Sequence, residues 1–460
     1  MVEVREVWKR QLPGAVEALA ISLDGQLVLV GGSNGTVSLI TREGDTLWSQ
    51  PTASEIAALD LSSMGEQLAV GLKNGAVMFL DKAGHIAWRY EAREPVSSLS
   101  LSRNGKYLLV GTSSGGIHFL SAAGKLVWSR KAREGITSVA LSSSANYAVA
   151  GSEDSTIYFL DNYTTDMGGK MVWSYPARGK IREVAVSTDG FYTAAASADS
   201  TVHFLDKLGK LYWSHRTENT VATLAMSPSG DYLLVGTEGG THPGQVCLFH
   251  RNEGLMWRYI TGEATVGSVD ISSTGAFMAA GSRQQEVYLF HRNSKLVWKT
   301  AVSGAADAVA ISDDGKFTAA GTRNGVVYLY DNTSAVEELK PATQEEVELD
   351  SGLFRVMRTP PGATAGSEEE WSPDAAPAVN KAGPAESRQS TVTMLEAIVD
   401  ACLLVVLGLI AGVVYFMYHK DIALEQGLFL LVFLLVVMFF LIYLFYTYVL
   451  FKPKKKRPAF

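Results

Sequence analysis

Short apolar runs recur along most of the chain, and within each run apolar residues alternate with polar ones. This alternation is typical of strands that bury only one face. Four runs make up each repeat, and turn residues such as Asn104-Gly105 and Gly115-Gly116 separate them. Four strands in a repeat of about 40 residues are characteristic of one blade of a β-propeller.

A tryptophan marks every repeat, with spacings of 40 to 45 residues. Tryptophan buries a large apolar area, so a recurring tryptophan predicts packing between blades and not a ligand platform. The series comprises Trp8, Trp48, Trp88, Trp128, Trp173, Trp213, Trp257 and Trp298.

Counting the strands predicts how the ring closes. Eight sets of first-to-third strands begin between Val16 and Ala308, but the last set, ending at Tyr330-Asp331, has no fourth strand after it. The first tryptophan strand, Val4–Lys9, precedes every set. We therefore predict an all-β fold: an eight-bladed β-propeller over residues 1–335, closed by its N-terminal strand.

Two stretches resemble known propeller families. The segment 309–316 (VAISDDGK) resembles the second half of WD repeats, and 79–84 (FLDKAG) followed by Trp88 is similar to the tryptophan-docking motif of pyrroloquinoline-quinone-type (PQQ-type) propellers. The resemblance implies a propeller, commonly with eight blades. It implies little about function, because this fold supports unrelated activities.

The enzymes among the PQQ-type propellers carry an axial cofactor, metal-binding carboxylate and amide side chains, and often a vicinal cysteine pair. In this sequence Cys247 and Cys402 are the only cysteines and are far apart, and the histidines are scattered without metal-ligand spacing. We expect no catalytic residues, no cofactor and no metal, and a quinone-type dehydrogenase is the least favoured function.

Three arginines occupy the same position, five residues after the tryptophan, in consecutive blades. They are Arg93, Arg133 and Arg178, and Lys131 and Arg182 are nearby. They predict a positive arc on one rim, since these turns all lead back to first strands. The arc is either a solvated rim neutralised by neighbours such as Glu94, or a docking site for an acidic partner.

Beyond the propeller, residues 336–393 form an acidic linker rich in Pro and Ala, with 9 Asp+Glu against 4 Lys+Arg over 341–393. Two long apolar stretches follow, at about 394–418 and 428–451, and each is long enough for a transmembrane helix. Together they predict a two-helix transmembrane hairpin over 394–451. Gly408 and Gly412 would allow close helix packing.

The tail 452–460 is basic and predicts the topology. Its cations are Lys452, Lys454, Lys455, Lys456 and Arg457. Positive charge marks the cytoplasmic side and can contact anionic lipid. A hairpin places both of its ends on one side, so we expect a two-pass protein of the cell membrane with propeller and tail in the cytoplasm. The lack of a signal-peptide pattern in the first residues agrees.

These features favour a non-catalytic scaffold that recruits the protein partners of a membrane complex. Expected partners are membrane protein subunits, other copies of the hairpin and membrane lipids. The alternative is a sensor whose propeller binds a ligand and signals through the hairpin. No region is basic enough to predict nucleic-acid binding, and no small-molecule substrate is indicated.

Overall fold

The computed structural model describes residues 5–162 and 169–339. These residues form eight antiparallel four-stranded sheets. The first strand of each sheet contacts the first strands of both neighbouring sheets, and the contact between the last and the first sheet completes the circle. The predicted all-β, eight-bladed propeller is confirmed.

The strands follow one another regularly along the chain. Blade 1 is β2 (Val16–Ile21), β3 (Leu27–Gly32), β4 (Thr36–Thr41) and β5 (Thr46–Pro51); blade 2 is β6 (Ile56–Leu61), β7 (Gln67–Leu72), β8 (Ala76–Asp81) and β9 (Ile86–Glu91); blade 3 is β10 (Val96–Leu101), β11 (Tyr107–Thr112), β12 (Gly116–Ser121) and β13 (Leu126–Lys131); blade 4 is β14 (Ile136–Leu141), β15 (Tyr147–Ser152), β16 (Thr156–Asp161) and β17 (Lys170–Pro176); blade 5 is β18 (Ile181–Val186), β19 (Tyr192–Ser197), β20 (Thr201–Asp206) and β21 (Leu211–Arg216); blade 6 is β22 (Val221–Met226), β23 (Tyr232–Thr237), β24 (Gly244–His250) and β25 (Gly254–Gly262); blade 7 is β26 (Val266–Ile271), β27 (Phe277–Ser282), β28 (Glu286–His291) and β29 (Lys295–Ala301); blade 8 is β30 (Ala306–Ile311), β31 (Phe317–Thr322), β32 (Val326–Asp331) and β1 (Arg5–Gln11).

Blade 8 is assembled from both ends of the propeller. Strand β1 pairs antiparallel with β32, from Arg5 opposite Asp331 to Gln11 opposite Val326. The Arg5 guanidinium also lies 3.3 Å from the Asp331 carboxylate. The predicted non-covalent closure is therefore confirmed, and it leaves no open blade in the ring.

Alternate turns emerge on opposite faces of the disc, because successive strands are antiparallel. We call upper the face formed by the second-to-third turns and by the turns between blades. The lower face is formed by the first-to-second and third-to-fourth turns. These two faces carry different chemistry, as described below.

A buried serine ends every first strand at the lower face and fixes the turn that follows. Its hydroxyl accepts the backbone N–H five residues later at 3.0 Å, as from Leu27 to Ser22, in all eight blades. A glycine with positive φ, such as Gly25, completes seven of these turns, and Ala145 takes its place in blade 4.

The tryptophans join neighbouring blades, as predicted. Trp88 stacks on Phe79 of its own blade at 4.9 Å, and its indole N–H donates to the Ala122 carbonyl of the next blade at 2.8 Å. The equivalent bond to a carbonyl of the next third-to-fourth turn recurs at Trp8, Trp48, Trp173, Trp213 and Trp257. Trp298 donates instead to the Asn332 side-chain oxygen at 3.1 Å, and Trp128 has no such bond among the described residues. The turn that Trp128 faces is where the extra residues of blade 4 lie, and residues 163–168 are outside the described part.

A short helix, α1 (Thr333–Glu338), follows β32 and was not predicted from the sequence. Its Ala335 and Val336 are buried in one cluster with Val297 and Trp298 of blade 7. Across residues 5–162 and 169–339, no helix is long and apolar enough to cross a membrane. The predicted hairpin and basic tail lie outside the described residues.

Candidate functional site

The structure places the three predicted arginines on the upper face, in successive turns between blades. Arg93 follows β9, Arg133 follows β13 and Arg178 follows β17, and all three are exposed. They therefore form an arc across the junctions of blades 2 to 5. The turns at the other five junctions have no arginine at this position.

Backbone hydrogen bonds hold each of these turns in place. The residue before each arginine donates its N–H to the carbonyl of the neighbouring second-to-third turn: Ala92 to Gly75 at 2.9 Å, Ala132 to Gly115 at 2.8 Å and Ala177 to Ser155 at 2.7 Å. The backbone of each turn is thus fixed to the neighbouring turn, and the arginines that follow are exposed.

The sequence left open whether Glu94 neutralises Arg93, and the structure gives Glu94 other partners. Its carboxylate accepts from the Lys131 ammonium at 2.7 Å and from the Thr112 hydroxyl at 2.6 Å. These two donors hold the pKa of Glu94 below its usual value, Lys131 more strongly than Thr112. Glu94 is therefore a stable carboxylate committed to Lys131.

Within the described residues, no carboxylate forms an ion pair with Arg93, Arg133 or Arg178. The two cations predicted beside them are engaged: Lys131 with Glu94, and Arg182 with Glu238 at 3.4 Å. The arc therefore has three free guanidinium groups, and its two flanking cations are already paired. Sequence reasoning missed the second pair, because Glu238 lies in another blade.

The insertion Glu238–Gln245 of blade 6 lies on this same upper face. Asn219 donates through its side-chain amide to the carbonyls of His242 and Pro243, at 2.9 and 3.0 Å. Through Glu238 it also meets Arg182. The insertion is thus an ordered boundary at one end of the arc. The other insertion, Asn162–Lys170, falls mostly outside the described residues.

An axial channel runs between the first strands and opens at the lower face as a cavity of about 400 Å³. Backbone hydrogen bonds link many of the first-to-second turns around its mouth, as from Ser63 to Arg103 and from Thr188 to Pro228. Pro228 has no N–H to offer the next turn. Arg103 also reaches Asp313 across the mouth at 3.3 Å.

Three carboxyl groups lie on first strands: Asp60 and Asp270 line this cavity, and Glu183 is on β18. Each accepts a backbone N–H from the first strand of the next blade, at 2.7 to 2.8 Å. All three residues retain some accessible surface, yet protein atoms surround their carboxyl groups. This desolvation raises the pKa of Asp60 and Asp270 to about 6 and that of Glu183 to about 7, although the N–H bonds oppose it.

The potentially reactive side chains of the described residues are dispersed. The channel carboxyls bond the backbone of the neighbouring blade, and no three His, Cys, Asp or Glu of residues 5–162 and 169–339 lie together as a metal site. Cys247 is buried, which raises the pKa of its thiol to about 12, so it stays protonated. What the described surface does present is charge on the upper face.

Comparison with known proteins supports the fold. The family model described as outer membrane protein assembly factor BamB, a PQQ-type repeat family, matches residues 5–165. The chain is similar to that family over this stretch. The predicted resemblance to PQQ-type propellers is thereby supported, and the WD-repeat resemblance stays a prediction. No curated protein matches the sequence.

Many solved structures share the fold. The computationally designed Ika8 protein is 19% identical with a TM-score of 0.61, covering 71% of this chain and 99% of its own. Sqt1 of Chaetomium thermophilum, solved bound to the N-terminus of the ribosomal protein L10, is 17% identical with a TM-score of 0.63, covering 72% of this chain and 100% of its own. At these identities the likeness concerns the propeller fold alone.

Proposed function

We propose that this chain is a non-catalytic, membrane-tethered propeller that recruits protein partners to a membrane complex through its upper face. The arc of Arg93, Arg133 and Arg178 carries the proposal. Three guanidinium groups without a carboxylate partner among the described residues lie on successive turns, each held by a backbone hydrogen bond. Guanidinium forks suit carboxylates, which they bind in pairs of hydrogen bonds.

The partner that fits the arc is an extended segment rich in Asp and Glu. Its charges would meet the three guanidinium groups one after another across blades 2 to 5. Sqt1, of the same fold, is bound to the N-terminus of another protein, which is an analogy for peptide capture by a propeller. Because the arginines are exposed, each pair would contribute only about 0.2–1 kcal/mol, and binding depends on all three together.

The tether is the predicted hairpin of residues 394–418 and 428–451, with Gly408 and Gly412 for helix packing and the tail 452–457 facing anionic lipid. It puts the propeller and the tail in the cytoplasm. Engineered cysteines at Asp421 and Gly366, in a Cys402→Ser background, test this. An impermeant thiol reagent added to intact cells should label position 421 and spare 366. Labelling of 366 alone would place the propeller outside.

The docking experiment uses the full chain in detergent and a fluorescein-labelled peptide of residues 364–374, which includes Glu368-Glu369-Glu370. We expect salt-sensitive binding that falls at least tenfold in the variant Arg93→Glu, Arg133→Glu, Arg178→Glu. A variant with the same charge change on the lower face, Lys82→Glu, Lys106→Glu, Lys125→Glu, is the control. A peptide with Gln at the three Glu positions should bind neither protein.

Equal loss of binding in both triple variants would reduce the effect to net charge and overturn the docking arc. Binding that is unchanged in the arc variant at low salt would do the same.

A ligand-sensing propeller is the second candidate, and the axial cavity of about 400 Å³ is the observation that favours it. We rank it lower because Asp60, Glu183 and Asp270 already bond the backbone of neighbouring blades. A ligand that shifts the melting temperature of the intact protein but not of an Asp60→Asn, Asp270→Asn variant would favour the sensor.

A further inference from the structure

One corner of the lower face exposes large apolar side chains. Leu208, in the third-to-fourth turn of blade 5, is 82% exposed. Phe191, in the first-to-second turn of the same blade, is 50% exposed, and Tyr212 at the start of β21 is 47% exposed. We call Phe191, Leu208 and Tyr212 the blade 5 corner. Phe191 and Leu208 lie on turns, where burial within the propeller does not explain them, and Tyr212 lies in β21 with its ring edge-on to Tyr192 and Phe204.

The repeat itself provides the comparison. At the position of Leu208 the described turns of the other blades have small or polar residues, namely Glu43, Ala83, Ala123, Asn252 and Asn293. At the position of Phe191 they have Gln26, Glu66, Lys106, Asn146, Asp231, Ala276 and Lys316. The other described blades therefore fold without a large apolar residue at either position. Blade 5 alone, among the described turns, combines two large apolar side chains there.

Two lysines flank the corner. Lys207 and Lys210 enclose Leu208 and Gly209 in the same turn, and Lys210 is exposed. The Lys207 ammonium lies 5.0 Å from the centre of the Phe191 ring. The backbone carbonyl of Lys207 accepts the indole N–H of Trp173 at 3.0 Å, so the turn is fixed to the neighbouring blade. Apolar tips surrounded by lysines are typical of surfaces that lie in the headgroup region of a membrane.

The chain also leaves the propeller from this face. Strand β32 ends at Asp331 on the lower face, where third-to-fourth turns of the other blades lie, and α1 follows it. The linker and the predicted spans continue from there. The described chain thus ends after a strand that finishes on the face with the apolar corner, and the arginine arc lies on the opposite face.

We propose that the blade 5 corner is a lipid-contact site: Phe191, Leu208 and Tyr212 insert into the interface of an anionic membrane, and Lys207 and Lys210 bind its headgroups. The proposal rests on the proposed membrane tether. We favour a lipid surface over a protein because Phe191 and Leu208 lie exposed on turns, from which their side chains can enter a soft surface. The flanking lysines match the negative charge of anionic lipids.

The experiment places a bimane label at Leu208→Cys in the full chain with Cys402→Ser, reconstituted into vesicles of phosphatidylcholine with or without phosphatidylglycerol. Cys247 is buried and stays unlabelled. The matched control is Glu43→Cys, the same turn position on the opposite blade of the ring. We expect a blue-shifted emission and quenching by brominated lipid at 208 but not at 43. The blue shift and the quenching at position 208 should increase with the phosphatidylglycerol content of the vesicles. Both should be smaller in a Lys207→Gln, Lys210→Gln variant.

Retention of the chain in vesicles after carbonate washing is measured first. Loss of retention would overturn the tether of the proposed function. A retained chain whose label at 208 is as water-exposed as the label at 43 would overturn the lipid contact alone. Equal quenching at both positions would also overturn it, because it would mean that the whole lower face contacts lipid.

Discussion

The two faces of this propeller are built from the same strands, yet they differ in what repeats. The lower face carries a feature found in every blade, the serine that caps the first strand, and one found in most blades, the turn that accepts the tryptophan. The upper face carries the differences between blades: the arginine arc, the insertion of blade 6, and paired charges such as Arg182 with Glu238. The upper face therefore carries the charged departures from the repeat.

This contrast tells where to look for function in a repeat fold. A residue that recurs in every blade is explained by folding, since each blade needs it. A residue that departs from the repeat needs its own explanation. On the upper face the departures are charged, and on the lower face the main departure is apolar, at Phe191 and Leu208. The two faces are thus suited to different partners.

The prediction with the largest expected effect concerns the closure of the ring, on which both faces depend. Deleting residues 1–11 removes β1, so β32 keeps only β31 as its partner and its other edge becomes exposed. We expect loss of cooperative thermal unfolding, or aggregation, in circular dichroism and size-exclusion chromatography. Deleting only residues 1–4, which precede β1, is the control and should melt like the intact chain. An intact melting transition after the larger deletion would show that the faces persist in an open ring.

A smaller test separates the scaffold of the upper face from its charge. Gly115 has φ +97°, and a Cβ there would lie 2.5 Å from the carbonyl oxygen of Glu134, beside Arg133. Gly115→Ala should lower the free energy of unfolding by about 2 kcal/mol, from strain and from displacement of that turn. Ser155→Ala, at the equivalent position of blade 4, is the control and should cost less than about 0.5 kcal/mol. Equal costs measured by urea unfolding would contradict this account of the turn.

A pH test probes the channel that joins the two faces. Burial raises the pKa of Glu183 from 4.5 to about 7 in the folded state. The folded protein therefore binds the proton more tightly than the unfolded chain, and stability falls as pH rises from about 4.5 to 7. Glu183→Gln removes the charge but keeps an acceptor for the Leu224 N–H. It should raise stability at pH 8 by about 1–2 kcal/mol and flatten the pH dependence.

Asp60 and Asp270, with pKa raised to about 6, should leave a smaller pH dependence in that variant. Chemical unfolding between pH 5 and 8 measures both effects. A Glu183→Gln protein that is less stable than the parent at pH 8 would mean that the carboxylate is net stabilising, and that another cation faces it.

Much of the fold could be predicted because the repeat samples the same pattern eight times. The spacing of the tryptophans and the missing fourth strand of the last set were enough for the blades and for the closure by β1. The position of the arc could also be predicted from the repeat, since Arg93, Arg133 and Arg178 occupy one repeat position. Such features depend on sequence order alone.

Pairings across blades could not be predicted. Arg182 and Glu238 are 56 residues apart, and which cations stay free depends on side-chain positions in three dimensions. The blade 5 corner was missed for another reason: an apolar residue near a strand is ordinarily assigned to the core. Only the structure shows that Leu208 points outward. Helix α1 has six residues, too few for a clear apolar period.

The smallest expected effect is on stability at the blade 5 corner. Because Leu208 is 82% exposed, Leu208→Ser should change the free energy of unfolding by less than about 0.5 kcal/mol. Phe204→Ala, in the buried strand β20 of the same blade, is the contrasting variant and should cost about 3–5 kcal/mol. Urea unfolding of the two variants beside the parent gives both values.

If Leu208→Ser cost more than about 1 kcal/mol, Leu208 would be part of the scaffold, and the lower face would have no functional departure there. A neutral Leu208→Ser that still abolishes lipid quenching of a bimane label at Phe191→Cys would instead separate the lipid contact from folding, as the comparison of the two faces requires.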